Sequence, residues 1–287
     1  MRPDDWHLTE DLDQFLSRAG DFLRSRPALH TVPLSVVDAL QRRGLRHFGG
    51  EAPRFGVLAG EDGNVRAVLV HTPPYPPNLT PLGPGEADAL AARLVELGHP
   101  VSGVSAERDT AAAFSEAWQR RTGVTAVIRT RQRLYRLTEL TVPEPAPEGR
   151  PRVAVPADRD LVARWYEEFA EETGSHTGAD AAEWADARIA HGGITLWEAA
   201  DGTPLSLAGV TPEIAGQVRV APVYTPPGLR GRGYAGAVTA EVSRAARTAG
   251  TPEILLFTDL ANPTSNGLYQ RIGYRPVGDF TVWDFEG

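Results

Sequence analysis

Gln217-Val218-Arg219-Val220-Ala221-Pro222-Val223-Tyr224-Thr225-Pro226-Pro227-Gly228-Leu229-Arg230-Gly231-Arg232-Gly233-Tyr234-Ala235 is the stretch that decides how this chain is read. A β-branched run enters, a Pro/Gly turn succeeds it, and Arg230-x-x-Gly233-x-Ala235 opens an amphipathic helix. Small residues let the turn close tightly, and the first N–H groups of the helix have no partner within it. The helix dipole adds its own attraction for negative charge, so a pyrophosphate suits this turn.

Two other phosphate loops fail against this stretch. A Walker loop needs a lysine, and the chain contains none. Gly231-x-Gly233-x-x-Gly236 has the glycine spacing of a dinucleotide fingerprint, but the next strand does not end in an acid at the required distance. The chain continues instead with Glu253–Asp259, patterned as a buried strand, and then Asn262, Ser265, Tyr269, Gly273 and Tyr274. With the Arg230–Ala235 loop, these offsets resemble the GNAT superfamily of acyl-CoA N-acyltransferases, over about residues 150–287.

The resemblance implies acetyl-CoA as the acyl donor. It places the phosphates on Arg230, Gly231, Arg232, Gly233, Tyr234 and Ala235. The pantetheine arm would run along Val223, Tyr224 and Thr225, and past Asn262 and Asn266. Attack of a neutral amine on a thioester expels a thiolate that must be stabilised or protonated, and a tyrosine hydroxyl suits that task. Tyr269 matches the family's general acid. Plainer readings stand beside these: Tyr269 as a core aromatic with Leu268 and Ile272, Asn262 as a helix cap before Pro263, and Arg232 as a surface residue.

A base is needed if the acceptor arrives as an ammonium. Glu172 lies on the apolar stripe of a helix expected over 158–172, with Trp165 and Phe169; a helix-end carboxylate in solvent is the alternative. Glu198 and His176 are weaker candidates. Glu167, Glu168, Glu171 and Glu172 read first as a solvated face, and Arg129, Arg131 and Arg133 as the polar side of a strand. The histidines show no metal-ligand spacing, so no metal is expected, and no Gly-x-Ser-x-Gly elbow is present.

Composition narrows the classes further. The 29 basic residues are all arginine, and cysteine is lacking, which closes disulfide, thiolate-metal and acyl-cysteine routes and leaves direct transfer. Net charge −8 opposes nucleic-acid binding and suits an amine partner. No secretory signal or apolar run of membrane length is seen, so a cytoplasmic protein is expected.

A Pro-rich connector at 141–152 divides the chain into 1–140 and 153–287. The second half is expected to run from a strand at 153–155 through helices at 158–172 and 179–191, strands at 194–199, 205–210 and 217–224, and on to a closing strand at 279–285. The first half offers helices at 10–24, 33–43, 85–97 and 109–121, and strands at 55–59, 65–71, 101–105 and 131–138. Ala117-Trp118-Gln119-Arg120-Arg121-Thr122-Gly123 lines up with Leu268-Tyr269-Gln270-Arg271-Ile272-Gly273 with one insertion. The expected fold is α+β: two tandem GNAT-like domains, each a mixed, mostly antiparallel sheet flanked by helices. The first copy is read as degenerate and structural, with Glu86 and Asp88 at the phosphate position and Trp118 replacing the tyrosine. The expected activity is N-acetyl transfer to a primary amine of a small molecule or peptide. The alternatives are a non-catalytic acyl-CoA-binding module or a mycothiol-synthase-like transferase.

Overall fold

Caps and turn residues set the element boundaries in the computed structural model, which describes residues 6–174 and 180–287. In chain order, the first elements are β1 (Trp6–Thr9), α1 (Leu12–Ser25), α2 (Thr31–Arg43), β2 (Arg54–Ala59), β3 (Val65–His71) and β4 (Asn78–Leu79). Next come α3 (Pro84–Glu96), β5 (Gly103–Glu107), α4 (Arg108–Thr122), β6 (Thr125–Leu137), β7 (Arg150–Val153), α5 (Arg159–Thr173) and α6 (Ala181–Ala190). The last are β8 (Ile194–Glu198), β9 (Pro204–Val210), β10 (Gln217–Tyr224), α7 (Tyr234–Thr248), β11 (Glu253–Asp259), α8 (Pro263–Ile272) and β12 (Tyr274–Glu286). Asp11, Asp180 and Asn262 each accept a first-turn amide with the side chain, starting α1, α6 and α8. Gly123, Gly174 and Gly273 end α4, α5 and α8 in the left-handed conformation, where no Cβ is in the way.

The helices and most strands match the sequence pattern, with two additions and some corrections: β6 begins at Thr125 and β12 at Tyr274, earlier than expected, and the stretch 279–285, expected to close the second half, pairs instead with β5 of the first. The additions are β1 and β4, both too short to show a period. The strand expected over 153–155 is instead Arg150–Val153, inside the segment read as connector. It pairs with β8 from Arg150↔Glu198 to Val153↔Thr195. Arg150 and Arg152 both reach the Glu198 carboxylate, which rewards the shifted register. Pro151 is tolerated because β7 ends the sheet, where its missing N–H breaks no ladder.

The chain forms two compact units that are not consecutive stretches. Unit 1 comprises residues 1–134, 259–261 and 277–287; unit 2 comprises 135–258 and 262–276. Unit 1 orders its strands β1-β2-β3-β4-β5-β12-β6. These pairings are antiparallel from β1 to β4 and between β5 and β12, and parallel between β4 and β5, at Asn78↔Ser105. Its core gathers Leu58, Leu69, Leu90, Leu94 and Phe114 between the sheet and helices α3 and α4.

Unit 2 orders β7-β8-β9-β10-β11 and then the end of β6. β7 to β10 are antiparallel, and β10 and β11 are parallel. One core packs α7 and α8 on the sheet through Val238, Leu256, Tyr269, Ile272 and Tyr274. A second packs α5 and α6 through Val162, Trp165, Ala185, Leu196 and Leu207. Each unit is thus a mixed, mostly antiparallel sheet flanked by helices. Among the described residues, no helix is long and apolar enough to cross a membrane.

Candidate active site

The site begins where β10 and β11 part. Their parallel pairing runs through Gln217↔Glu253, Val218↔Ile254 and Arg219↔Leu255, and ends there. On its other side β10 stays with β9, through a register shift between Val220 and Val223. Pro222, inside that shift, has no N–H to give a ladder. Gly209 of β9 permits the close approach, since a Cβ there would stand 2.6 Å from the Ala221 carbonyl oxygen. Past Arg219 and Leu255 the two strands share no further ladder pair along that edge of β10.

Two of the three residues assigned to that edge already have carbonyl partners. The Ser206 hydroxyl donates to the Tyr224 carbonyl at 2.8 Å, and Arg230 Nε donates to the Thr225 carbonyl at 2.9 Å. Thr225 is buried, its hydroxyl 2.8 Å from that of Ser206. Val223 is partly buried against the cluster that holds Tyr269. The Tyr224 side chain is buried too. Its hydroxyl donates to Glu168 at 2.8 Å, and burial with that hydrogen bond raises its pKa to about 12.

The loop after β10 leads through two glycines into the N-terminus of α7. Pro227–Leu229 makes one 3-10 turn, Arg230 is extended, and Gly231 and Gly233 take φ of 77° and 86°. Gly233 is the N-cap of α7, and Ala237 donates the first helical bond to its carbonyl. Among the described residues, the amides from Gly231 through Gly236 have no acceptor. Successive N–H groups of this kind, at a helix N-terminus, form a concavity that attracts negative charge. Pro143 and Pro147, from the segment read as connector, border it. A Cβ on Gly236 would lie 3.6 Å from Pro143 Cγ, and one on Gly233 3.7 Å from the Pro147 ring.

Tyr269 lies on α8 in the same apolar cluster as Val223, Leu229 and Tyr234. It is 8 % exposed, and its ring meets that of Tyr274 edge-on at 6.2 Å. Burial alone lifts its pKa to about 12, with no hydrogen bond contributing. Asn262 caps α8 through Ser265 N at 3.0 Å. Asn266 accepts from the Tyr135 hydroxyl at 2.9 Å and donates to the Asn262 carbonyl at 2.7 Å. Tyr135 carries no local sequence signal: it comes from β6, is fully buried, and also receives Gln270 Nε2 at 3.2 Å.

The remaining acids and bases are mostly engaged elsewhere. Glu172 is bound to Arg230, whose Nη2 donates to both carboxylate oxygens at 2.7 and 2.6 Å. Glu198 is held by Arg150 and Arg152, which keep its carboxyl below the usual range and away from proton transfer. Arg232 is exposed and reaches the Gly228 carbonyl at 3.3 Å. His176 lies outside the described residues. Among the described residues, no group of His, Cys, Asp or Glu is arranged to hold a metal.

The residues of unit 1 that the sequence sets against this site are engaged by its own side chains. The Glu86 carboxylate accepts the Gly83 amide at 2.8 Å and pairs with Arg66, so the N-terminus of α3 already holds an anion. Asp88 is held by Arg120 and Arg121. Trp118, which the sequence lines up with Tyr269, lies in an aromatic stack with Phe114 and Phe285.

Residues 216–283 match the FR47-like protein family. No curated protein matches the chain. Among solved structures, a GCN5-related N-acetyltransferase from Sphaerobacter thermophilus is 18 % identical, with a TM-score of 0.61, covering 99 % of this chain and 97 % of that one. A GNAT-family acetyltransferase from Colwellia psychrerythraea is 13 % identical, with a TM-score of 0.59, covering 98 % and 99 %. The chain has the GNAT-superfamily fold. Along its whole length, both units included, it is similar to a tandem GNAT protein from the clavulanic acid biosynthesis pathway, at 13 % identity and TM-score 0.56, covering 98 % of each chain.

Proposed function

We propose that unit 2 transfers an acetyl group from acetyl-CoA to a primary amine of a small molecule or peptide, and that unit 1 is structural. The unpartnered amides from Gly231 through Gly236, beside the parting of β10 and β11, carry this reading. The diphosphate sits on those amides, and the pantetheine arm enters the gap, where Val223 offers main-chain groups. The Tyr224 and Thr225 carbonyls, already hydrogen-bonded, contribute less.

In the transfer, the amine lone pair attacks the thioester carbonyl carbon, the C–S bond breaks, and the nitrogen releases its proton. A thiol has a reference pKa of about 8.5, well below the value near 12 for Tyr269. Full proton transfer from the phenol to the sulfur is therefore uphill. Tyr269 acts as a hydrogen-bond donor to the leaving thiolate, and the proton that completes the thiol comes from the attacking nitrogen through water. With Glu198 held by two arginines, a water chain is also the simplest base.

The test is calorimetry with acetyl-CoA, then thiol release against a panel of amines. Saturable binding with amine-dependent thiol release supports the proposal. Binding without thiol release identifies a non-catalytic acyl-CoA module, and no binding removes the site.

A further inference from the structure

Two residues given separate tasks hold one another across α5 and the loop after β10. Arg230 opens the anion loop, immediately before the run of free amides, yet its Nη2 is committed to both oxygens of Glu172. Its Nε holds the Thr225 carbonyl, and its guanidinium lies over the Tyr224 ring at 5.9 Å from the centroid. One turn before Glu172 on α5, Glu168 accepts from the Tyr224 hydroxyl and has Arg164 at 3.9 Å. Helix α5, the end of β10 and the anion loop are thus joined through one guanidinium and two carboxylates.

The side chains of Arg230 and Glu172 are 48 % and 42 % exposed. An ion pair that open to water is weak enough for another anion to displace. A diphosphate carries more negative charge than one carboxylate and would also meet the amides beside Arg230. The two anions cannot both hold the same face of Nη2.

We propose that the Arg230–Glu172 pair is an exchangeable latch. The diphosphate of the acyl donor draws Arg230 away from Glu172, and the freed carboxylate is left as an unpaired negative charge in the C-terminal turn of α5. The bond to Thr225 through Nε stays, so Arg230 pivots instead of leaving the loop. Glu172 is thereby a positioning residue: it competes with the donor for Arg230 and holds the loop while the site is empty. Coupling of this kind is reciprocal, so whatever Glu172 takes from donor affinity is returned as its own release. The inference rests on the acyl-donor reading of the loop.

Calorimetry with acetyl-CoA on the full chain tests it. Glu172→Gln should bind acetyl-CoA about two- to five-fold more tightly than wild type, the range expected for loss of an exposed competing ion pair. Glu171→Gln removes the same charge one residue away and should leave affinity unchanged. Arg230→Gln should weaken binding, and adding Glu172→Gln to it should change nothing further. Equal or weaker binding by Glu172→Gln overturns the latch, as does tightening that persists without Arg230 or is matched by Glu171→Gln. A wild-type protein that fails to bind acetyl-CoA removes the acyl-donor reading itself, which is a separate outcome from binding that is unaltered in Glu172→Gln.

Discussion

The hydroxyl of Tyr135 donates to Asn266 at 2.9 Å, across 131 residues of sequence, and receives Gln270 Nε2 at 3.2 Å. Tyr135 stands at the end of β6, fully buried in the core that carries Tyr269. Unit 2 therefore needs a side chain from before the Pro-rich segment. Tyr135→Phe should lower unfolding stability by about 1 kcal/mol through the lost hydrogen bonds. Tyr135→Ala should lower it by about 3–5 kcal/mol through the cavity. Urea unfolding measures both, and an alanine variant as stable as wild type would show that β6 is dispensable to this core.

That dependence marks the limit of what the sequence discloses. The glycine turn before α7 is legible because its signals are local: Gly231 and Gly233 take positive φ, and the helix begins at Tyr234. The strand at 217–224 is legible through its β-branched run, and Asn262 through its place before Pro263. The partners of Tyr135 and Glu172 leave no such trace. They lie 131 and 58 residues away, and nothing in a strand's alternation says which sheet receives it. Glu198 reads as a candidate base from its strand-edge position alone; the pairing of β7 with β8 brings two arginines to it and closes that role.

Gly233 tests the loop without touching the chemistry. Its φ of 86° is a conformation that β-branched residues adopt only with strain, of order 1–3 kcal/mol. Gly233→Val should relieve that strain by rotating the N-cap, which misaligns the amides of Tyr234 and Ala235. Acetyl-CoA affinity is expected to fall at least tenfold by calorimetry, with the circular dichroism spectrum retained. Unchanged affinity would place the diphosphate elsewhere.

A pH effect on unit 1 arises from His71 and His99. The two rings are buried, joined from Nδ1 to Nε2 at 2.8 Å, with the Tyr75 backbone, Arg54 and Glu10 around them. Burial, then the neighbouring imidazole, lowers His71 to about 3; burial, then Arg54, lowers His99 to about 4, with Glu10 opposing. Both folded values lie below the unfolded value near 6.5, so unfolding takes up protons once pH drops under 6.5. Stability should be full above about pH 7 and decline from 6.5 toward 4. Urea midpoints at pH 7.0, 6.2 and 5.5 should fall in wild type. They should fall less steeply in His71→Gln/His99→Gln, and equal slopes would assign the acid sensitivity to other groups.

Tyr269 is the place where geometry and titration make a joint demand. A buried phenol with a pKa near 12 stays protonated across the assay range, so it remains a donor wherever the amine is neutral enough to attack. In wild type, kcat should rise with pH as the amine loses its proton and then hold level to about pH 10. A donor with an ordinary tyrosine pKa would already be losing its proton there. Tyr269→Phe should reduce kcat by about 10²-fold or more, the typical worth of one hydrogen bond to developing negative charge. Acetyl-CoA affinity should change little, because the hydroxyl meets the sulfur only as the C–S bond breaks. Steady-state rates and calorimetry on the same preparation separate the two effects. Equal turnover in wild type and Tyr269→Phe would make Tyr269 a packing residue of the α8 core and leave the thiolate to solvent.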